Sequence, residues 1–254
     1  MDTMYDSSFF DSIEGYAKTS ALILHDMLKE IYSFDSVVDV GCGNGAWLSV
    51  FQEKGVKTIK GIDGSYVDQS QLRIPKECFH PHDLTQPVSL NQRFDLAISL
   101  EVGEHLPEAR AVSFVADIVA FSDVVLFSAA LPGQGGTYHI NEQWPTYWAH
   151  LFAQHDYVAF DCFRPRLWNR KNIAWYYAQN IVLYVKREVA ENGKLNATFL
   201  GAPGAPLSLI HPLLFHFRTV DPGIGPIVRS IPQLMNQALR KRLKGETTAL
   251  PNFE

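Results

Sequence analysis

The run Val37-Val38-Asp39-Val40-Gly41-Cys42-Gly43-Asn44-Gly45-Ala46-Trp47 constrains this chain more than any other stretch. Its valines suit a short buried strand, and its glycines allow a sharp turn and a close backbone approach that bulkier residues forbid. Residues 46 to 54 then read as a helix, with Gly55 as its stop, so the loop N–H groups and the helix N-terminus are expected to face one site. Strand, glycine loop and helix in that order have the form of a nucleotide-cofactor loop. Gly41, Gly43 and Ala46 also satisfy the dinucleotide pattern G-x-G-x-x-G/A, and Asp63, ending a second strand over residues 56 to 63, would hold a ribose in either cofactor class. Asp39 separates the two. It sits within the strand, where a dinucleotide site has an apolar residue, and a buried carboxylate is costly unless it holds something, for which a cationic ligand is suited.

Two later segments extend the pattern: His82-Asp83-Leu84 after a third short strand, and the fourth strand with its loop, F-D-L-A-I-S-L-E-V-G-E-H-L-P, over residues 94 to 107. Together with V-V-D-V-G-C-G-N-G and Asp63, these resemble the class I S-adenosylmethionine-dependent methyltransferases, and in particular a bacterial small-molecule branch with an E-V-x-E-H-L-P loop. The resemblance covers residues 35 to 187. It implies an α/β fold, a Rossmann-like doubly wound seven-stranded sheet that is mostly parallel with one antiparallel strand, for which residues 157 to 163 and 180 to 186 supply the last runs. It also implies roles: Asp39, Gly41 and Gly43 at the methionine part of S-adenosylmethionine, Asp63 on the ribose hydroxyls, Asp83 on the adenine amino group beside Leu84, and Leu100 and Glu101 at the methionine end. S-adenosyl-L-homocysteine would be the product.

The chain of 254 residues, 46% of them hydrophobic, is large enough for one catalytic core with appendages. The expected organisation is a helical segment over residues 1–34, a core over 35–188 and a proline-rich appendage over 189–254. Residues 13 to 31 repeat apolar side chains at helical spacing, and residues 5 to 10 read either as a lid or as a docked terminus. Residues 108 to 121 read as a helix presenting Val112, Val115, Ala116 and Val119 on its apolar face. Seven of the fourteen prolines fall in residues 190 to 254, which rules out a regular continuation of the sheet there. The stretch from Pro232 to Lys244 reads as a short helix for packing or for a homodimer contact.

A net charge of −5 gives no general attraction for nucleic acid or an anionic membrane, so neither is an expected partner. Three cysteines without C-x-x-C spacing argue for free thiols and a reducing compartment, and no apolar run approaches the ~20 residues of a membrane span; a cytoplasmic location is the expectation. His80, His82, Asp83 and Asp63 lack compact ligand spacing, so no metal is expected.

For the chemistry, an alcohol or protonated amine must lose a proton as it is methylated, and histidine suits that task near neutral pH. His139, in the glycine-rich loop over residues 131 to 148, is the expected base. Glu142 orients it or binds the acceptor, and His105 is the second candidate. Trp144, Tyr147 and Trp148 form a candidate substrate wall, though such aromatics are more often core. Arg164, Arg166, Arg170 and Lys171 read as a solvated connection. The expected activity is methyl transfer to oxygen, in preference to nitrogen, of a small-molecule or sugar-containing metabolite. The rivals are a catalytically silent binding module using its tail on a partner protein, and a nicotinamide-dependent oxidoreductase.

Overall fold

The computed structural model describes residues 7–220, with side chains described from Ala17 to Thr219. The expected lid residues 5 and 6 and the Pro232–Lys244 segment lie outside this range, as does any homodimer contact through that segment.

Seven strands form one sheet: β1 (Ser36–Val40), β2 (Thr58–Asp63), β3 (Phe79–Pro81), β4 (Leu96–Leu100), β5 (Val124–Ser128), β6 (Tyr157–Phe160) and β7 (Val182–Lys186). Their order is β3-β2-β1-β4-β5-β7-β6. The first five are parallel, and β7 runs antiparallel to both β5 and β6, as the resemblance implied. The register pairs Asp39 with Gly61 and with Ile98, which places the strand of the glycine loop at the centre.

The central strands are buried and mostly apolar because helices cover both faces. Alternate residues point to opposite sides. Val37 and Ile98 pack with α1 (Ser7–Ile31) and α2 (Ala46–Glu53), against Leu24, Leu28 and Phe51. Val38 and Val40 face α3 (Ala111–Phe121) and α4 (Pro145–Ala153), where Phe114, Ile118, Trp148 and Phe152 are buried.

Several sequence expectations need correction. The core face of α3 is Ala111, Phe114, Val115, Ile118 and Phe121, whereas Val112 is 54% exposed; the large side chains of Phe114, Ile118 and Phe121 took the core. Of the aromatics read as wall or, more often, core, Trp148 is core: it is 2% exposed, and a Cβ added at Gly103 would lie 2.8 Å from its ring. The last two strands are shorter than expected, because residues 164–180 turn into α5 (Arg164–Leu167) and α6 (Trp175–Asn180). Arg164 is not solvated but fully buried on α5, its Nε donating to Asp161 Oδ1 at 2.7 Å and its Nη1 to the Gln179 carbonyl at 3.2 Å.

The core also runs past residue 188. Leu195 and Leu200 are buried in it, the Asn196 N–H donates to the Ile31 carbonyl at 2.8 Å, and the compact unit ends at His211. The second unit begins at Pro212, and its described part consists of two short helical turns, Pro212–Phe215 and His216–Val220.

Candidate active site

The ends of β1, β2 and β4 open onto a cleft of about 280 Å³, walled by Gly41, Asp63, Gly64, Tyr66, Asp83, Leu84, Thr85, Glu101, Val102, His105 and Leu106. Five of the expected cofactor residues, Gly41, Asp63, Asp83, Leu84 and Glu101, therefore meet on one surface. Asp39, Gly43 and Leu100 are not on that wall.

Gly41 adopts φ +91°, and a Cβ there would lie 2.2 Å from Val102 Cγ2, so only glycine brings the loop this close to β4. The loop N–H groups do not all face the cleft as expected. Those of Gly41 and Cys42 donate to the Ile62 carbonyl at 2.8 and 3.2 Å, that of Gly45 to the Cys42 carbonyl, and that of Gly43 to Asp63 Oδ2 at 2.6 Å. The loop is thus braced on β2.

Asp63 is held on three sides: by the N–H groups of Gly43 and Gly64 and by the Tyr66 hydroxyl, each at 2.6 Å. Tyr66 was missed from the sequence, although it follows Asp63 by three residues. Asp39 is 4% exposed; burial, and next the charge of Asp63, push its carboxyl well above the usual range. A cationic ligand near these acids would offset that cost. Asp83, at the surface, accepts from the Thr85 N–H and hydroxyl, which hold its carboxyl below the ordinary value.

Glu101 has φ +56°, a strained conformation for a residue with a side chain. Its carboxylate accepts from Gln134 Nε2 at 3.0 Å and from Asn180 Nδ2 at 3.0 and 3.2 Å. Gln179 extends this amide network, donating to both Gln134 and Asn180. Burial raises the Glu101 carboxyl against the pull of these donors. None of the three amides was singled out from the sequence, since they join only through the path of α6.

Beyond Glu101 lies a second cluster. The Glu104 carbonyl accepts from the Ile140 and Asn141 N–H groups at 2.9 and 3.0 Å, which staples the glycine-rich loop over the end of β4. That staple brings His139 against His105, their ring centroids 4.9 Å apart. His139 Nδ1 lies 3.0 Å from Glu142 Oε1, and Glu142 also accepts from the N–H groups of Gly133 and Gly135. Burial pushes Glu142 up, but the bonds from His139, Gly133 and Gly135 outweigh it and hold the carboxylate below its usual value. His105 Nδ1 lies 3.3 Å from the Tyr138 carbonyl, and burial, then the neighbouring His139, lower its pKa. Glu104 is fully buried with both carboxylate oxygens unpartnered; burial, then the charge of Glu101, raise its pKa. One donor atom each from Glu104, His105 and His139 fall within 4.8 Å of one another, a grouping at positions other than His80, His82, Asp83 and Asp63. Tyr138 and Ile140, on either side of His139 in the sequence, are 84% and 64% exposed.

No curated protein sequence matches the chain. Its fold matches a structure of an amino pentose methyltransferase from Micromonospora echinaspora, bound to S-adenosylmethionine and involved in calicheamicin biosynthesis. The TM-score is 0.53 at 14% identity, over 73% of this chain and 99% of that one. A magnesium protoporphyrin IX methyltransferase from Synechocystis PCC 6803 gives 0.49 at 16% identity, over 73% and 86% of the two chains. DesVI of Streptomyces venezuelae gives 0.43 at 20% identity over 51% of this chain, which spans only 58% of the DesVI chain. Among the described residues no helix is long and apolar enough to cross a membrane. A family model described as a methyltransferase domain matches residues 14–180, and with the seven-stranded sheet and the buried acids at its centre it shows that this chain belongs to the S-adenosylmethionine-dependent methyltransferases.

Proposed function

We propose that the protein methylates an oxygen of a small, hydroxyl-bearing molecule, with Glu101 and the His105–His139 pair marking the end of the cleft where transfer occurs. The observation that carries this reading is the Glu142–His139 pair beside the cleft. A carboxylate accepting from Nδ1 fixes the imidazole tautomer and leaves Nε2 with a lone pair, the arrangement needed to activate an acceptor that must lose a proton.

When bound, S-adenosylmethionine supplies a methyl group on a positive sulfur. The chain's part is mainly to hold two reactants in line. Asp63 binds the ribose hydroxyls, which take over from the Tyr66 hydroxyl. Asp83 accepts from the adenine amino group beside Leu84. Asp39, Gly41 and Gly43 shape the methionine part, with Leu100 and Glu101 at its end. Glu101 faces the α-amino group, held in its strained conformation by Gln134 and Asn180. Tyr138 and Ile140 seat the apolar face of the acceptor, and His139, oriented by Glu142, activates its hydroxyl. The negative net charge supports a small molecule over a polyanion. The amino pentose methyltransferase shares the fold and offers a first acceptor class, sugars, to try.

The test is release of S-adenosylhomocysteine across paired acceptors that differ only in hydroxyl versus amine, on sugar and aromatic frames. Turnover confined to hydroxyl members is expected. Turnover confined to amines would replace oxygen by nitrogen in this reading.

A further inference from the structure

We infer that Glu104, His105 and His139 form a site for a divalent transition-metal ion that coordinates the acceptor oxygen. This inference rests on the acceptor end of the cleft lying at these residues.

The argument is one of unbalanced hydrogen bonding. His139 Nδ1 faces a carboxylate and His105 Nδ1 faces a carbonyl, both of which can only accept, so each Nδ1 carries the proton and each Nε2 carries a lone pair. Glu104 adds a carboxyl group, 0% exposed, with no close hydrogen-bond partner on either oxygen. One ligand atom from each of these three residues lies within 4.8 Å of the other two. A cation satisfies all three at once.

The surroundings match those of metal-binding histidines, which usually donate their other ring N–H to a carboxylate or a carbonyl. Glu142 and Tyr138 are those partners here, and Glu142 is itself fixed by Gly133 and Gly135. A Cβ at Gly136 would lie 2.2 Å from His139 Nε2, so the loop's glycine is what admits the ring. Two imidazoles and one carboxylate favour Mn²⁺, Fe²⁺, Co²⁺ or Zn²⁺ over Mg²⁺ and Ca²⁺, which prefer oxygen. Bonds of about 2.0–2.2 Å need the donors somewhat closer than they stand. Rotation of the exposed His105 ring can supply that movement.

Three protein ligands leave positions open for the acceptor. Coordination lowers the pKa of its hydroxyl, whose proton passes to water at the mouth of the cleft. The oxygen lone pair then forms the new C–O bond as the C–S bond breaks, the bonding pair stays on sulfur, and neutral S-adenosylhomocysteine leaves. His139 therefore acts through the cation rather than by taking the proton itself.

The direct test is titration of tag-free, chelator-stripped full chain with Mn²⁺, followed by loss of the free-ion electron paramagnetic resonance signal, and with Co²⁺, followed by its visible absorption. One saturable site per chain is expected, weakened more than about tenfold in Glu104→Gln and in His105→Ala. S-adenosylhomocysteine binding, measured in parallel, should be unchanged in Glu104→Gln, which does not line the cleft. Absence of a saturable site for either cation, or a site that Glu104→Gln leaves intact, would overturn the inference. Full turnover of the stripped enzyme in excess chelator would also overturn it, while leaving the methyltransferase reading standing. Loss of S-adenosylhomocysteine binding by the wild type would count against that reading, and the cation titration decides the site separately.

Discussion

His139→Ala is expected to lower turnover by about 10²- to 10⁴-fold, the range for losing a positioned group that activates a nucleophile. Affinity for S-adenosylmethionine should stay within about twofold of wild type, because the change removes an interaction made as the methyl group moves. The split follows from geometry. His139 is tied to Glu142 and His105 and is not on the wall of the cleft, whereas Glu101, which is, is fixed independently by Gln134 and Asn180. Single-turnover kinetics beside calorimetry would check it. A variant with full turnover, or one whose loss lies entirely in cofactor binding, would remove His139 from the acceptor end.

Arg164→Ala should be the most destabilising change away from the cleft. The guanidinium is fully buried, ion-paired with Asp161, and bonded to the Gln179 carbonyl; Gln179 also belongs to the network that ends on Glu101. Removing one member of such a pair costs about 3–5 kcal/mol, and the lower end applies because water reaches Asp161, 22% exposed, and screens it. In a domain of this size each kcal/mol lowers Tm by about 2–4 °C, so a loss of roughly 6–12 °C is expected by thermal denaturation. Arg170→Ala, at an exposed position in the same segment, should change stability by less than about 0.5 kcal/mol. Equal effects of the two variants would contradict the buried assignment.

The contrast between those arginines shows what the sequence could and could not convey. The strands that carry the glycine loop and Asp63 were legible because each is a mostly apolar run closed by glycine or by an acid, Val37–Gly41 and Ile59–Asp63. The α3 face was legible in principle, since Phe114, Ile118 and Phe121 repeat at helical spacing. Asp161 and Arg164 stand three residues apart, a spacing that pairs charges on a helix, yet nothing in the sequence shows that their turn is buried under α6. At the site, the cofactor residues on the wall of the cleft lie on or just beyond strand ends, where local pattern fixes position. Glu104, His105 and His139 meet only because the Glu104 carbonyl captures two N–H groups of a loop more than thirty residues later. Spacing rules look for ligands on one element and miss such a meeting. The same holds for Gln134 and Asn180, which converge on Glu101 from a loop and from the end of α6.

The central claim is that the cleft at the ends of β1, β2 and β4 holds S-adenosylmethionine through Asp63. Calorimetric titration of the full chain with S-adenosylmethionine and S-adenosylhomocysteine, beside Asp63→Ala, tests it most directly. One saturable site is expected, with affinity in the variant reduced by at least about tenfold through loss of charge-assisted hydrogen bonds worth ~1.5–3 kcal/mol. A folded Asp63→Ala protein that binds both ligands as tightly as the wild type would contradict the account.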